Sequence, residues 1–204
     1  MYDGCVNLEY YPGSVLRDAD VKLECAAIHE AGHLVVAAVQ GLRLRPEGLG
    51  IDPSAAGLAC YCKDPGESDL SRERVIVATY AGFKAEERFR QDRRYPFPKQ
   101  EGIVIRGDWV EALEVIGKLS YFSNDRAPTI QRELEDRSEQ FVAQNWAAIQ
   151  ALAAAVLTKD WVPLIPLKSG GEWAKKDTAK YVAGDEIVKI LAQFGIVAVC
   201  NSDC

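Results

Sequence analysis

The sequence predicts an α+β fold that is mainly helical, with a small β-hairpin or sheet. Apolar residues recur at helical spacing in several segments, the clearest of which is VKLECAAIHEAGHLVVAAVQ at residues 21–40. Two short β-type stretches, LRLRPEGLGI and GLACYCK, flank a turn-forming sequence at residues 52–57. Of the 204 residues, 48% are hydrophobic and 26% are charged, which is the ordinary composition of one well-cored globular domain.

Each predicted element has its own start and stop signals. Gly41 is expected to end the first helix, Ser68, Asp69 or Ser71 to cap the second, and Gly107 to free the backbone just before the third. The predicted elements are a first helix at about 18–40, a hairpin within 42–63, a second helix at 72–91, a third at 108–122, one long fourth helix from 127 to about 159, a connection at 161–171 and a last helix at about 185–194.

Charge and hydropathy exclude several classes of function. The formal net charge of -6 argues against a nucleic-acid surface, because a phosphate backbone would be repelled. No run approaches the ~20 apolar residues that span a bilayer, and the first residues lack the apolar core of a signal peptide. We therefore expect a soluble, cytoplasmic protein with no nucleic-acid partner and no membrane span.

The six cysteines are expected to be free thiols, because a chain without a secretory signal stays in a reducing compartment. The alternative is a second metal site formed by the pair Cys60 and Cys62 with the pair Cys200 and Cys204.

Both histidines of the chain lie in the run HEAGH, which begins at His29 and ends at His33. This is the HExxH pattern of zinc metallopeptidases. Four residues make about one helical turn, so the two imidazoles face the same way and can bind one cation. Glu30, beside the first histidine, would reach a water molecule on that metal. The sequence therefore predicts a zinc site on the first helix.

Two histidines do not complete such a site, since a catalytic zinc usually has three protein ligands and keeps a fourth position for water. The longer pattern HExxHxxGxxH does not apply, because LVVA follows the motif. Four residues are left as candidates for the third ligand: Glu86 or Glu87 on the second helix, Asp108 at the start of the third, and Cys25 one turn before the motif.

The order of motifs resembles a known family. HEAGHLVVA is followed by ATYAGFKAEERF, then GDWVEALEVIGKL, a long helix and YVAGDEIVKIL. This series, over about residues 18–194, is similar to the peptidase domain of the FtsH-type zinc metalloproteases. The resemblance implies a zincin-like helical peptidase domain over 1–204, with an irregular lead-in at 1–16, a catalytic core at 18–158, and a connection and C-terminal helix at 159–204.

The resemblance also implies roles for individual residues. Asp108, which opens a helix after a glycine, would be the third zinc ligand with His29 and His33. Glu86 would then accept a ring N–H from a ligand histidine and fix its tautomer. Glu30 would take a proton from the zinc-bound water and deliver it to the leaving amine.

The second hairpin strand is the candidate site for the substrate. An extended peptide could add to its edge as a further strand, held by the backbone of Gly57, Leu58, Ala59 and Cys60. The alternative for this strand is a purely structural hairpin.

Proteases of this type carry an ATPase module and transmembrane helices, but the sequence has no G-x-x-x-x-G-K-[ST] motif and no membrane span. The expected function is a zinc-dependent endopeptidase that cleaves peptides or unfolded proteins without its own ATPase. A separate ATPase is a candidate partner, and oligomer formation is compatible with the family. The alternative is a catalytically silent pseudo-peptidase that binds or regulates an ATP-dependent protease. Glu30 favours the enzyme, because a structural zinc site has no use for a general base.

Overall fold

The computed structural model describes residues 18–63, 68–95, 107–163 and 178–201. Within these residues helices dominate and the strands pair antiparallel in one small sheet, so the predicted α+β class is confirmed. The predicted lead-in at 1–16 lies outside them. The elements are α1 (Asp18–Val39), β1 (Leu44–Ile51), β2 (Gly57–Tyr61), α2 (Asp69–Arg93), α3 (Gly107–Ile116), α4 (Ala127–Gln144), α5 (Trp146–Leu157), β3 (Val162–Pro163), β4 (Thr178–Val182) and α6 (Gly184–Ala192).

Helices α1 and α2 form the centre of the core. The second half of α1 is buried, and α2 buries the continuous stretch 75–82 between α1, α3 and α4. The two backbones approach closely at Gly32, where a Cβ atom would lie only 2.7 Å from the carbonyl oxygen of Ala81. Glycine therefore permits a helix spacing at which side chains of α2 reach the HExxH motif on α1.

The predicted hairpin is present, and a buried carboxylate organises its turn. Asp52 is only 2% exposed, and its Oδ1 accepts hydrogen bonds from the backbone N–H of Ser54 and of Ala56 and from the Ser54 hydroxyl, at 2.9, 2.9 and 2.7 Å. Ala55, at the tip, has a left-handed backbone with φ of 62°. These bonds hold the turn in one conformation beside α1.

The predicted alternative of a small sheet is the one observed, but the sequence did not indicate its strands β3 and β4. Its strand order is β2-β1-β4-β3, so β2 lies at one edge, and β4 pairs with β1. A Cβ atom at Gly48 would lie 2.1 Å from the carbonyl oxygen of Val182, so glycine is needed where these strands meet. The predicted connection at 161–171 thus contains β3, while residues 164–177 lie outside the described part of the chain.

The prediction of one long fourth helix was wrong, because the chain breaks at Asn145 into α4 and α5. The Asn145 backbone departs from helical values, with φ of -112° and ψ of 20°. Its side-chain amide donates a hydrogen bond to the carbonyl oxygen of Phe141 at 2.8 Å. The backbone N–H of Asn145 donates to the same oxygen at 3.1 Å, so side chain and backbone share one helical acceptor. Helix α3 also ends earlier than predicted, just before Gly117.

As predicted, Cys25, Cys60 and Cys200 form no disulfide, but the prediction of free thiols is wrong for Cys62, which is disulfide-bonded. Pairing depends on two Cα atoms coming within about 7 Å of each other, and the folded chain, not the local sequence, sets that distance. The alternative of a cysteine metal site finds no support among the described cysteines, because none of them joins a group able to hold a metal. None of the helices in the described ranges has the length and apolarity needed to cross a bilayer.

Candidate metal centre

The two histidines of the motif present the same ring nitrogen to one point. His29 and His33 lie one turn apart on α1, with ring centroids 4.7 Å apart. Nδ1 of His33 donates a hydrogen bond to the carbonyl oxygen of Ala78 on α2 at 2.9 Å. Nδ1 of His29 donates to Oε2 of Glu86 at 3.1 Å. Because each Nδ1 is engaged by α2, each Nε2 is the nitrogen that can ligate a cation.

Asp108 completes the group from the first turn of α3. Its Oδ2 lies 3.1 Å from Nε2 of His29 and 3.4 Å from Nε2 of His33. Ligand atoms at 2.0–2.2 Å from a tetrahedral zinc are about 3.3–3.6 Å apart, so the second separation falls in this range and the first lies slightly below it. Small side-chain adjustments would therefore allow all three residues to bind one ion. Among the described residues the group consists of His29, His33 and Asp108. The other candidates for the third ligand, Glu86, Glu87 and Cys25, do not join it.

The electrostatics of the group favour a cation. Burial lowers the pKa of His29, but hydrogen bonds to Asp108 and Glu86 outweigh it and raise that pKa to about 10. Burial opposes the ionisation of Asp108, yet hydrogen bonds from both histidines hold its pKa well below the usual range. Burial raises the pKa of Glu30. Without a metal, a proton on His29 compensates the surrounding carboxylates, so metal binding would release it.

Glu86 lies where a residue that orients His29 is needed. It is 8% exposed, and its two oxygens have different partners. Oε2 accepts the N–H of His29, while Oε1 accepts Nε–H of Arg90 from the next turn of α2 at 2.8 Å. A carboxylate that bonds the far nitrogen of a ligand histidine fixes its tautomer and ring orientation. Arg90 in turn fixes the carboxylate, a role that the sequence did not reveal.

Gly82 on α2 is a second residue that the sequence analysis missed. A Cβ atom there would lie 2.3 Å from Nε2 of His33 and 2.5 Å from its Cε1. The imidazole therefore occupies space that any larger residue would fill. The available signal was a glycine inside a helix, which costs about 1 kcal/mol relative to alanine and often marks a close approach.

Glu30 lies against the start of strand β2. A Cβ atom at Gly57 would be 2.3 Å from both Cγ and Oε1 of Glu30. Gly57 therefore leaves space for the glutamate side chain. Leu58, Ala59 and Cys60 continue along the same edge strand of the sheet. The fold thus brings together the predicted general base and the predicted substrate strand.

Replacement of Asp108 by alanine is expected to lower zinc affinity about 100-fold or more, and Glu86→Ala about 10-fold. The first removes a ligand atom and the second removes only the group that orients His29. Titration against a competing chromophoric chelator measures both. Glu87→Ala is the matched control, since Glu87 contacts Lys84 at 3.7 Å and belongs to the same helix. A larger loss in Glu86→Ala than in Asp108→Ala would contradict the ligand assignment.

No protein-family model matches the chain, and no curated protein matches it.

Proposed function

We propose that the protein is a zinc-dependent endopeptidase. The observation that carries the proposal is the convergence of His29, His33 and Asp108 on one point, next to Glu30. Three protein ligands leave one position of a tetrahedral metal open, which is the arrangement of catalytic zinc sites. A structural zinc site is usually closed by four protein ligands and does not need a glutamate beside the first histidine.

Residues of the chain would divide the chemistry between them. Bound here, zinc would polarise the peptide carbonyl and lower the pKa of a water molecule to about 7. Glu30 would take a proton from the attacking water and deliver it to the leaving amine. Glu86, held by Arg90 at 2.8 Å, would keep His29 in its ligating orientation.

Strand β2 would hold the substrate in an extended conformation. It lies at the edge of the sheet, with β1 as its neighbour, and it begins beside Glu30. A peptide that pairs with the backbone of Leu58, Ala59 and Cys60 would place its own backbone across the metal centre. Such pairing uses hydrogen bonds to the substrate backbone, which every extended chain can form. The expected substrates are therefore peptides and unfolded chains.

The test is cleavage by zinc-loaded protein in the absence of ATP. We expect hydrolysis of casein and of an unstructured peptide library, loss of hydrolysis with 1,10-phenanthroline, and recovery on adding zinc. Stably folded substrates should survive, because their unfolding costs about 5–15 kcal/mol. Metal analysis of the same sample provides the control. A protein that carries one zinc per chain and cleaves no member of the library would contradict the proposal and favour the catalytically silent binding partner.

A further inference from the structure

A cavity of about 450 Å³ lies directly beside the proposed catalytic residues. Residues of α1 from Lys22 to Glu30 form one wall. The hairpin turn contributes Ser54 and Ala55, and α2 contributes Glu86 and Arg90. The cavity thus runs from His29 and Glu30 along α1 towards its N-terminal end.

Among the described residues, two charged side chains of this cavity have no ion pair: Glu30 at the end near the metal centre and Lys22 at the far end. Glu86 is compensated by Arg90 at 2.8 Å and by His29 at 3.1 Å. Glu30 contacts the start of β2. Lys22 forms no ion pair with any residue of the described ranges, and its side chain is exposed. The uncompensated charge at the far end of the cavity is therefore positive.

The distance from the metal centre suits a side chain rather than the peptide backbone. Lys22 precedes His29 by seven residues, so the two lie on the same face of α1, about 10 Å apart along its axis. The lysine side chain and an acidic side chain of the substrate would together bridge that gap. Residues of an extended chain advance about 3.4 Å each, so the acidic residue would lie within a few positions of the scissile bond.

The hairpin turn that forms part of the cavity wall is held by its own hydrogen bonds. The Ser54 hydroxyl donates to Asp52 at 2.7 Å, and the turn is held by two further bonds to the same carboxylate oxygen. A wall that is already in one conformation loses little conformational entropy when a ligand binds. A single ion pair in the cavity can therefore make a charged ligand bind more tightly than a neutral one.

We propose that this cavity is a substrate subsite that takes an acidic side chain, and that Lys22 determines this specificity. The proposal rests on the proposed function, because it assigns the cavity to a side chain of the same bound peptide. The group bound in the cavity would be a side-chain carboxylate. The substrates would be peptides or unfolded chains with Asp or Glu near the cleaved bond.

The experiment measures binding, so its result is separate from catalysis. Zinc-loaded full-length Glu30→Gln protein is titrated with fluorescent peptides whose ends are blocked, and one Glu is scanned through every position of a Gln background. We expect at least one position at which Glu binds about 5-fold or more tightly than Gln. This preference should vanish in Lys22→Ala and turn into a preference for Lys in Lys22→Glu. Lys118→Ala, another exposed lysine outside the cavity, should keep it.

Two results would overturn the subsite: equal binding of Glu and Gln at every position, or a Glu preference that survives Lys22→Ala. A carboxylate in the cavity could also come from the C-terminus of a peptide. A peptide with a free C-terminal carboxylate and no Glu tests this possibility. Tighter binding of that peptide alone would assign the cavity to a chain end and contradict the side-chain proposal. If Glu peptides bind selectively but zinc-loaded wild type cleaves none of them, the peptidase proposal fails while the subsite stands.

Discussion

Glu30→Gln is expected to keep one zinc per chain and to lose peptide cleavage by a factor of about 100 or more. The three ligand side chains are unchanged, so the metal should stay. The amide cannot take a proton from water, and general-base catalysis typically contributes 10²–10⁴-fold. Glutamine has the shape of glutamate, so the close contact with Gly57 is also preserved.

The measurement is kcat/KM on a library-selected peptide, with zinc determined by mass spectrometry in the same samples. Glu87→Gln is the matched control, because it makes the same chemical change on α2 away from the three-ligand group. Equal cleavage by wild type and Glu30→Gln would show that another group accepts the proton, and the proposed mechanism would be wrong.

Gly82→Ala is expected to lower zinc affinity about 100-fold or more and to remove cleavage with it. Helix propensity alone predicts the opposite sign for stability, since alanine is favoured over glycine inside a helix by about 1 kcal/mol. The new Cβ atom, however, would lie 2.3 Å from Nε2 of His33, the nitrogen that faces Asp108. The imidazole must move away to relieve this contact, and His33 would then no longer be positioned as a metal ligand.

Gly117→Ala is the control for this substitution, because the nearest atom to its Cβ would be 3.6 Å away, at ordinary contact distance. Circular dichroism separates loss of the site from loss of the fold. If folded Gly82→Ala protein binds zinc as tightly as wild type, the position of the His33 ring relative to α2 would be incorrect.

The elements that could be predicted are those with local signals. Helix α1 followed from its apolar period and from Gly41, and α2 from its cap, since the Ser68 side chain accepts the backbone N–H of Ser71. The break lies at Asn145, whose side chain shares one carbonyl oxygen with its own backbone N–H, and the alanine-rich surroundings conceal it in the sequence. Strand β4 pairs with β1 from the other end of the chain, and such non-local pairing leaves no local pattern.

Some residues of the site could also be predicted from local sequence, and others could not. Spacing alone identified His29 and His33, because a helix fixes their relative position. Spacing could not choose among the candidates for the third ligand, since that choice depends on how α3 returns to α1. The motif resemblance favoured Asp108, which the fold places 3.1 Å from Nε2 of His29. Gly82 and Arg90 act through packing and hydrogen bonding across α2, and neither has a motif of its own.

His29 contacts Glu86 of α2 and Asp108 of α3, while itself belonging to α1. An ion bound by His29, His33 and Asp108 would therefore cross-link α1 and α3, while the hydrogen bond between His29 and Glu86 connects α1 to α2. A ligand present at 1,000 times its dissociation constant stabilises the folded state by about 4 kcal/mol, a large part of the stability of an ordinary domain. If zinc is that ion, as we propose, zinc supply would also set how long the folded chain persists, and a cell short of zinc would lose the protein itself.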